Sequence, residues 1–459
     1  MGARLGVVDS HDSTEELSYS NSAKKSNFSI SKGQRESLGL INIGTFLEYF
    51  DFKVYIHVTV ILNVLFFPKT DPYTQSLLMA LSFSMAYLLR PLGSLLFGFL
   101  GDIWGRKTNI IITTLMMSIA SFVLGCMPTY DQVGWIAPLA VIICQAVQGI
   151  SSGVEIIGAI VYTAELVKAP RNYFFSALIG VAAEFGTLFS LLLCTALLTL
   201  RPEDGWRYVF FIGSGIAVIG SIARTRLKES PEFLKAIQKA KKNGGAKSFI
   251  FRAFTEYKSN TLNYFLLELR GPFLFFLAYI SLSELLARNY GYTPTQIILH
   301  NLFISLASFS SYICFVFIAR YIHPLRLLKR IGFVLLAISI VMPFVINDNS
   351  SIKVIFLMQA LIASLNITGI ADAIFTRGFP VIGRYTVMGV SYSLARAFAA
   401  CGTSYGCVVI ASKYGFLGVS VMMALIMTLH LIGVYRFVPC KEDRLIEESW
   451  RRERDSNPR

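Results

Sequence analysis

Charged side chains are scarce in this chain of 459 residues. Asp, Glu, Lys and Arg make up 15% of the sequence and hydrophobic residues 54%, and the mean hydropathy is +0.57. A soluble domain carries about 25% charged residues, so the polar side chains here are too few to cover a soluble protein of this size. We therefore predict an all-α, multi-pass membrane protein whose apolar surface contacts the lipid bilayer.

Residues that build metal and redox sites are also few. The five histidines are scattered without an HxxxH pair, and none of the seven cysteines belongs to a CxxC motif or to a Cys/His cluster with metal-ligand spacing. The sequence also lacks a nucleophile elbow and a phosphate-binding loop. We predict that the protein is not an enzyme and has no catalytic residue, no metal site and no organic cofactor.

Long apolar segments follow one another from residue 38 onwards. A bilayer-spanning helix needs about 20 predominantly apolar residues, and about twelve segments meet this criterion. The longest break, 225–262, separates six segments from six. The segments are 38–65, 75–100, 108–127, 135–163, 173–200, 206–224, 263–288, 295–319, 326–346, 352–375, 385–412 and 415–438.

The polar stretches predict the domain organisation. We expect a disordered N-terminal tail (1–37), two six-helix bundles (38–224 and 263–438), a basic loop (225–262) and a C-terminal tail (439–459). Basic residues concentrate in one set of connections, and the positive-inside rule places these connections and both termini in the cytoplasm. We interpret the net charge of +14 as basic loops that face anionic lipid and not as a nucleic-acid-binding surface.

Ionisable residues are distributed unevenly over the apolar segments. The third, sixth and ninth segments carry none in their interiors, as expected when helices come in threes and the third helix faces lipid. An ionisable residue at membrane depth is a functional candidate by default. We expect Asp372, near a segment end, to lie at the membrane interface. For Glu268 and Arg270, near the start of the seventh segment, snorkelling to the interface explains their position as well as a function does. The candidates deeper in the segments are Glu48, Asp51, Lys53, Arg90, Glu155, Glu184 and Arg396.

Two of these candidates share one stripe of the first helix. Glu48 and Asp51 are one turn apart, and two carboxylates so close in a low dielectric repel each other, so that one of them is expected to hold a proton. This arrangement suits proton uptake and release. A static ion pair with Arg90 or Lys53 is the alternative.

A compact charged turn lies between the second and third segments. It comprises Gly101-Asp102-Ile103-Trp104-Gly105-Arg106-Lys107. The glycines allow a sharp reversal, and Asp102 and Arg106 are spaced to meet on one helical turn. The turn is either an ordinary basic loop that obeys the positive-inside rule or the gating loop of a transporter.

Several ordered motifs resemble one family. The turn 101–107 matches the GDxxGRK loop between helices 2 and 3 of the major facilitator superfamily. Phe46–Phe52 resembles the NFLEWYDF stretch of its metabolite:proton symporter family, which includes proline/betaine, shikimate and 2-oxoglutarate transporters. Leu89–Gly93 is similar to ARPLGG of helix 2, Gln148–Gly158 to QG…GGEWGG of helix 4, and Glu229–Phe233 to the ESPEF that ends helix 6.

The resemblance implies a major facilitator fold and secondary transport by alternating access. The expected substrate is a small polar organic metabolite, an organic acid or a zwitterionic osmolyte such as proline or betaine, with a proton as coupling ion. Asp102 is expected against the start of helix 11, near Gly383–Thr386. The implied conformational latch comprises Gly101, Asp102, Gly105, Arg106 and Lys107, and the implied substrate and proton pathway includes Glu48, Asp51, Arg90, Gln148 and Glu155.

Three departures from the family pattern modify these expectations. Gln145 replaces the Arg of the helix-4 RxxQG motif, and Lys53 replaces an aromatic residue of helix 1. In the second half, the stretch 319–324 lacks the Gly-Asp and Gly-Arg elements of the turn. We therefore expect a one-sided latch, and the loss of the helix-4 Arg weakens the indication of proton coupling.

Glu184 and Arg396 lie at similar depths in the fifth helix of their halves. A direct ion pair between them is possible on this spacing and is left open. The favoured function is a proton-coupled transporter, monomeric, in the plasma membrane and more specifically the inner membrane of a bacterium. The alternatives are a facilitator without proton coupling and a transporter-like receptor or sensor.

Overall fold

The computed structural model describes residues 30–68, 74, 84–85, 87–242, 246–347, 350–367 and 369–456. Regular structure within these residues is helical, and no strand is present in them. The helices are α1 (Lys32–Phe66), α2 (Arg90–Trp104), α3 (Arg106–Cys126), α4 (Ile136–Leu166), α5 (Arg171–Leu200), α6 (Gly205–Arg224), α7 (Pro231–Lys242), α8 (Ala246–Glu256), α9 (Lys258–Tyr290), α10 (Pro294–Ile318), α11 (Pro324–Val345), α12 (Ile352–Arg377), α13 (Arg384–Arg436) and α14 (Lys441–Ser456).

Twelve membrane passes follow from these helices. Within the described ranges, nine helical segments are long and apolar enough to cross a membrane, the last of them Val409–Arg436 of α13. Gly415 has a non-helical φ of 59° and ψ of −151°, so α13 contributes a separate pass on each side of it. With α1, α2 and the first part of α13, the predicted all-α, twelve-pass fold is confirmed. Residues 75–83 of the second predicted segment lie outside the described residues.

The passes form two six-helix halves that meet along two seams. In the first half α1 packs on α5 and α3 on α6, and in the second half α9 and α11 both pack on α13. Between the halves, α5 packs on α10 and α2 packs on α13. Small residues permit the second seam: a Cβ at Gly98 would lie 3.0 Å from the Cα of Thr386. Gly98 therefore lets two helices of opposite halves approach closely.

Three element boundaries differ from the predictions. α1 begins at Lys32, inside the predicted tail, because Ser31 and Gln34 form a capping box; residues 1–29 lie outside the described part. The basic segment 225–262, predicted as a loop, contains α7 and α8, whose apolar faces bury Phe233 and Ile250. α9 begins at Lys258, so Glu268 lies deeper in its helix than a start at 263 implies.

Candidate transport cavity and joined end

A cavity lies between the halves, lined by α1, α4 and α5 on one side and by α9, α10, α12 and α13 on the other. Tyrosines and charged groups of both signs dominate its polar lining. Of the eight candidate residues singled out from the sequence (Glu48, Asp51, Lys53, Arg90, Gln148, Glu155, Glu184 and Arg396), Lys53, Glu184 and Arg396 line it. Its polar lining residues are Tyr49, Lys53, Tyr87, Glu184, Thr187, Glu268, Tyr279, Ser308, Tyr312, Asn366, Asp372, Tyr392 and Arg396.

The charges in the cavity have defined partners. Arg396 lies 3.5 Å from the carboxylate of Glu268 and stacks on the ring of Tyr392 with its guanidinium carbon 4.3 Å from the centroid. Glu184 accepts a hydrogen bond of 3.2 Å from the Ser308 hydroxyl, which joins α5 to α10 across the seam. Glu184 and Arg396 therefore do not pair with each other: Arg396 pairs with Glu268, and Glu184 accepts from Ser308.

Three charges near segment ends are buried, which favours the functional alternative for Glu268 and Arg270 and differs from the interfacial position expected for Asp372. Glu268 and Arg270 are 2% and 0% exposed, and Asp372, at 7% exposure, lines the cavity. Arg270 donates to the carbonyl oxygen of Ile367, next to an interruption in α12 that separates Ile352–Ser364 from the short helix Asp372–Arg377. A hydropathy profile does not reveal interruptions within a helix. It therefore places the charged residues of α9 and α12 nearer to the helix ends than the structure does.

Asp51 and Gln148 lie outside the cavity lining, in a polar chain within the first half. The Gln145 amide donates to Gln148 (3.3 Å), the Gln148 amide donates to Ser121 (2.9 Å), and the Ser121 hydroxyl donates to Asp51 (2.6 Å). Asp51 is 1% exposed, and no cation of the described residues lies within 4.0 Å of its carboxyl. The three hydrogen bonds run in one direction and end at Asp51, which as a carboxylate can only accept.

Glu155 is ion-paired with Arg224, which also donates to the Thr114 hydroxyl. Arg224 is 2% exposed because Gly44 leaves room for its guanidinium, which a Cβ at that position would overlap. Sequence reasoning missed Arg224, since it is the last residue of α6 and resembles an ordinary positive-inside charge. The available signal in the sequence was Gly44, which lies one helical turn before Glu48 on the same face of the first helix.

Glu48 and Arg90 also lie outside the lining. Glu48 is 6% exposed, and one of its carboxyl oxygens is buried without a hydrogen bond in the described part of the chain. Arg90 is 5% exposed and stacks between Phe52 (4.3 Å) and Tyr87 (4.4 Å). The expected alternative of a static pair between Lys53 and either carboxyl of the helix-1 stripe is not found within 4.0 Å.

The charged turn joins the two halves at one end of the bundle, which we call the joined end. Asp102 accepts hydrogen bonds from the backbone N–H (2.9 Å) and hydroxyl (2.7 Å) of Thr386 in the first turn of α13. A carboxylate is favoured at this helix N-terminus by the free N–H groups and the helix dipole. The contact lies where the resemblance implied it.

Arg106 links the same turn to the ends of α4 and α12. It is fully buried, lies 3.3 Å from Asp102 and 3.2 Å from Glu165, and donates to the carbonyl oxygen of Val381. Glu165 also lies 3.5 Å from Arg384 of the second half. Two arginines and two acids from both halves therefore form one buried cluster.

The glycines and Lys107 of the turn act through the backbone. Gly105 has a φ of 113°, and a Cβ there would contact the carboxylate of Glu229. This carboxylate accepts from the backbone N–H groups of Arg106 (3.1 Å) and Lys107 (2.8 Å) and so caps α3. A Cβ at Gly101 would overlap the ring of Tyr385.

The tail helix α14 makes a second contact between the halves. Asp443 accepts a hydrogen bond of 2.6 Å from the Tyr173 hydroxyl at the start of α5 and lies 2.9 Å from Arg377 at the end of α12. Arg377 also pairs with Glu442. The ring of Trp450 packs edge-on against His323, which in turn contacts Tyr173. The sequence analysis assigned no role to this helix.

Comparison with known proteins agrees with the fold. A family model for sugar (and other) transporters matches residues 39–262. The proline/betaine transporter of Escherichia coli K12 is 28% identical over 381 residues, which cover 79% of this chain and 75% of that protein. A glycine betaine/proline/ectoine/pipecolic acid transporter of Dickeya dadantii is 33% identical over 214 residues, which cover 46% of this chain and 43% of that protein.

Solved structures share the architecture at low sequence identity. A proton:xylose symporter of the major facilitator superfamily, bound to 6-bromo-6-deoxy-D-glucose, superposes with a TM-score of 0.72 at 15% identity, covering 88% of this chain and 96% of that one. The human organic anion transporter MFSD10 superposes with a TM-score of 0.66 at 16% identity, covering 88% and 99%.

Proposed function

The chain belongs to the major facilitator superfamily of membrane transporters, and from this premise we propose that it is a secondary transporter of the metabolite:proton symporter type. Its substrate is a small polar organic metabolite, an organic acid or a zwitterionic osmolyte. The observation that carries the proposal is the cavity between the halves, in which Lys53 and Arg396 face the acids Glu184, Glu268 and Asp372. A site with both signs of charge suits a ligand with polar groups of both kinds.

The joined end acts as a conformational latch in this proposal. Transport by alternating access requires that the halves separate at one end while they close at the other. The buried cluster of Asp102, Arg106 and Glu165 holds the joined end shut, and its opening exposes the cavity to that side. The joined end and both termini then face the cytoplasm of a bacterial cell, as the loop charge indicates, and the protein works as a monomer.

Asp51 and Glu48 supply the proton-coupling groups. Both carboxyls are buried, and within the described residues neither has a cation within 4.0 Å. A carboxyl at membrane depth without a counter-ion exchanges a proton more readily than one held in an ion pair, such as Glu155 with Arg224.

Uptake by purified protein in proteoliposomes tests the proposal. We expect uphill uptake of at least one of proline, glycine betaine, 2-oxoglutarate and shikimate when the lumen is alkaline, and loss of accumulation when a protonophore collapses the gradient. Empty liposomes are the control. Asp51→Asn should abolish accumulation above the external concentration while it preserves exchange.

A facilitator without proton coupling is the second candidate, and Gln145 favours it. The polar chain from Gln145 to Asp51 contains neutral donors where the family motif has an arginine. Uptake that reaches but never exceeds the external concentration, and that ignores the protonophore, would favour the facilitator. Ligand binding without any uptake would favour a receptor.

A further inference from the structure

The Lys53 ammonium is buried and, among the described residues, forms no ion pair within 4.0 Å. Its side chain on α1 is 6% exposed and lines the cavity. Its ammonium lies over the ring of Phe275 on α9, 3.1 Å from the centroid. No carboxylate of the described residues lies within 4.0 Å of it.

The ring of Phe275 satisfies this ammonium only in part. A cation over an aromatic face is attracted by the ring quadrupole, but an ammonium has three N–H donors, and a ring face offers no lone pair. A carboxylate that enters the cavity can therefore gain charge-assisted hydrogen bonds from Lys53 without displacing an existing ion pair.

The other basic group of the cavity is already engaged. Arg396 is paired with Glu268 and stacked on Tyr392, so an incoming anion would compete with both contacts. Glu184 is on α5, in the same half as Lys53, and its carboxylate accepts from the neutral Ser308 hydroxyl. Among the described lining residues, Lys53 is therefore the cation without an ion pair within 4.0 Å. Glu184 faces it, interacts with it electrostatically over a longer distance, and accepts its hydrogen bond from a neutral hydroxyl.

We infer that Lys53 is the anion anchor of the cavity, that it binds the carboxylate of the substrate, and that Glu184 receives an ammonium or another hydrogen-bond donor of the same molecule. This inference rests on the proposed function, because it assumes that the cavity holds a substrate. It deepens that proposal by naming a required chemical group. A carboxylate is required, and an uncharged sugar or a simple cation is not bound.

Binding to the purified full-length protein tests the anchor separately from transport. Thermal-shift titrations compare four carboxylates (proline, glycine betaine, 2-oxoglutarate and shikimate) with choline and xylose, which have none. Ligand that binds the folded state raises the unfolding temperature by mass action. We expect at least one carboxylate to stabilise the protein and choline and xylose to have no effect. Stabilisation by choline or xylose alone, or by none of the carboxylates, overturns the inference.

Substitutions then assign the binding to Lys53. Lys53→Met keeps an unbranched chain and should weaken carboxylate binding at least about tenfold, the usual effect of losing a charged hydrogen bond. Lys53→Arg should retain most of it. Lys329→Met is the matched control, since Lys329 also lies over a ring, that of Tyr435 at 4.4 Å, but does not line the cavity.

Glu184→Gln sharpens the assignment. It should weaken binding of proline, which carries an ammonium, more than binding of 2-oxoglutarate. Equal carboxylate affinity in Lys53→Met and the parent protein, with both folded by their unfolding transitions, overturns the inference. Because the readout is binding, a protein that binds through Lys53 but does not transport would refute only the proposed function.

Discussion

Two contacts hold the halves together at the joined end, and they are built from different parts of the chain. In the first, Asp102 of the α2–α3 turn meets the start of α13 with Arg106 beside it. In the second, Asp443 of the tail helix meets the start of α5 with Arg377 beside it. α5 and α13 begin the corresponding passes of the two halves, so an acid with a neighbouring arginine stands at equivalent positions.

The difference lies in where the acid comes from. The first acid belongs to a seven-residue motif inside its own half, whereas the second is carried on a helix beyond the last pass, because the stretch 319–324 lacks the motif. The structure therefore has a cross-half contact between an acid and the start of a pass on both sides of the joined end, where the sequence analysis expected one side only. One side is built into the bundle, and the other depends on whether the tail stays docked.

The largest effect is expected from Asp102→Asn. Arg106 is fully buried, and removal of one partner from a buried ion pair destabilises by about 3–5 kcal/mol. We expect the initial uptake rate in proteoliposomes to fall at least about tenfold and the unfolding temperature to fall. Asp204→Asn is the matched control, since Asp204 is an exposed partner of Arg201 at 3.5 Å and should have little effect.

Unchanged transport kinetics in Asp102→Asn would remove the latch assignment. A loss of stability without any change in uptake would likewise reduce the cluster to a structural role.

The first contact could be predicted from the sequence, and the second could not, for a physical reason. The Asp102 contact lies in a short motif, the charged turn between two spans, and the resemblance of this motif to a family pattern implied its place at the start of helix 11. The Asp443 contact depends on how the tail helix packs against helices far away in the chain. A run of charged residues such as 441–444 does not indicate which hydroxyl group will contact it.

The same limit applies inside the membrane. Hydropathy located the twelve passes and drew attention to Glu184 and Arg396, but helix rotation decides which groups meet. Arg396 faces Glu268 and not Glu184, and Asp51 faces Ser121 and not a cation. Helix interruptions near residues 269 and 365–371 shifted the depth of Glu268 and Asp372 beyond what segment length shows.

A smaller effect is expected from Asp443→Asn. Arg377 keeps its pair with Glu442 and is 18% exposed, so water and the remaining acid compensate for part of the loss. We expect a cost of about 1–2 kcal/mol and a decrease in the initial uptake rate that is clearly smaller than for Asp102→Asn. Both rates are measured in the same proteoliposome assay. An effect as large as that of Asp102→Asn would show that the tail, and not the turn, is the dominant contact.

Tyr173→Phe isolates the hydrogen bond that crosses between the halves. It removes the donor to Asp443 (2.6 Å) and leaves the pairs of Arg377 intact. A loss of about 1 kcal/mol predicts roughly fivefold more frequent undocking of the tail. The thiol of Cys440, half-buried next to α14, reports undocking through its rate of maleimide labelling once Cys126, Cys314 and Cys401 are replaced by Ala.

Tyr208→Phe serves as the control for this substitution, because the Tyr208 hydroxyl contacts only the exposed Arg201 among the described residues. The same Cys440 labelling rate in Tyr173→Phe and in the parent protein would contradict a cross-half role for this bond.

The smallest effect concerns pH and the docked tail. Burial raises the pKa of the Asp443 carboxyl above its usual value although Arg377 acts in the opposite direction, whereas in an undocked tail the pKa is about 3.9. The docked form therefore binds more protons between these two values, so docking strengthens as the pH falls through this window and weakens as it rises.

Hydrogen exchange of residues 441–456, corrected for intrinsic rates, measures this effect. The gain in protection from pH 7 to pH 5 should be larger in the parent protein than in Asp443→Asn. The comparison with Asp443→Asn isolates the contribution of Asp443, and a difference of the opposite sign would mean that the Arg377 pair outweighs burial at this contact.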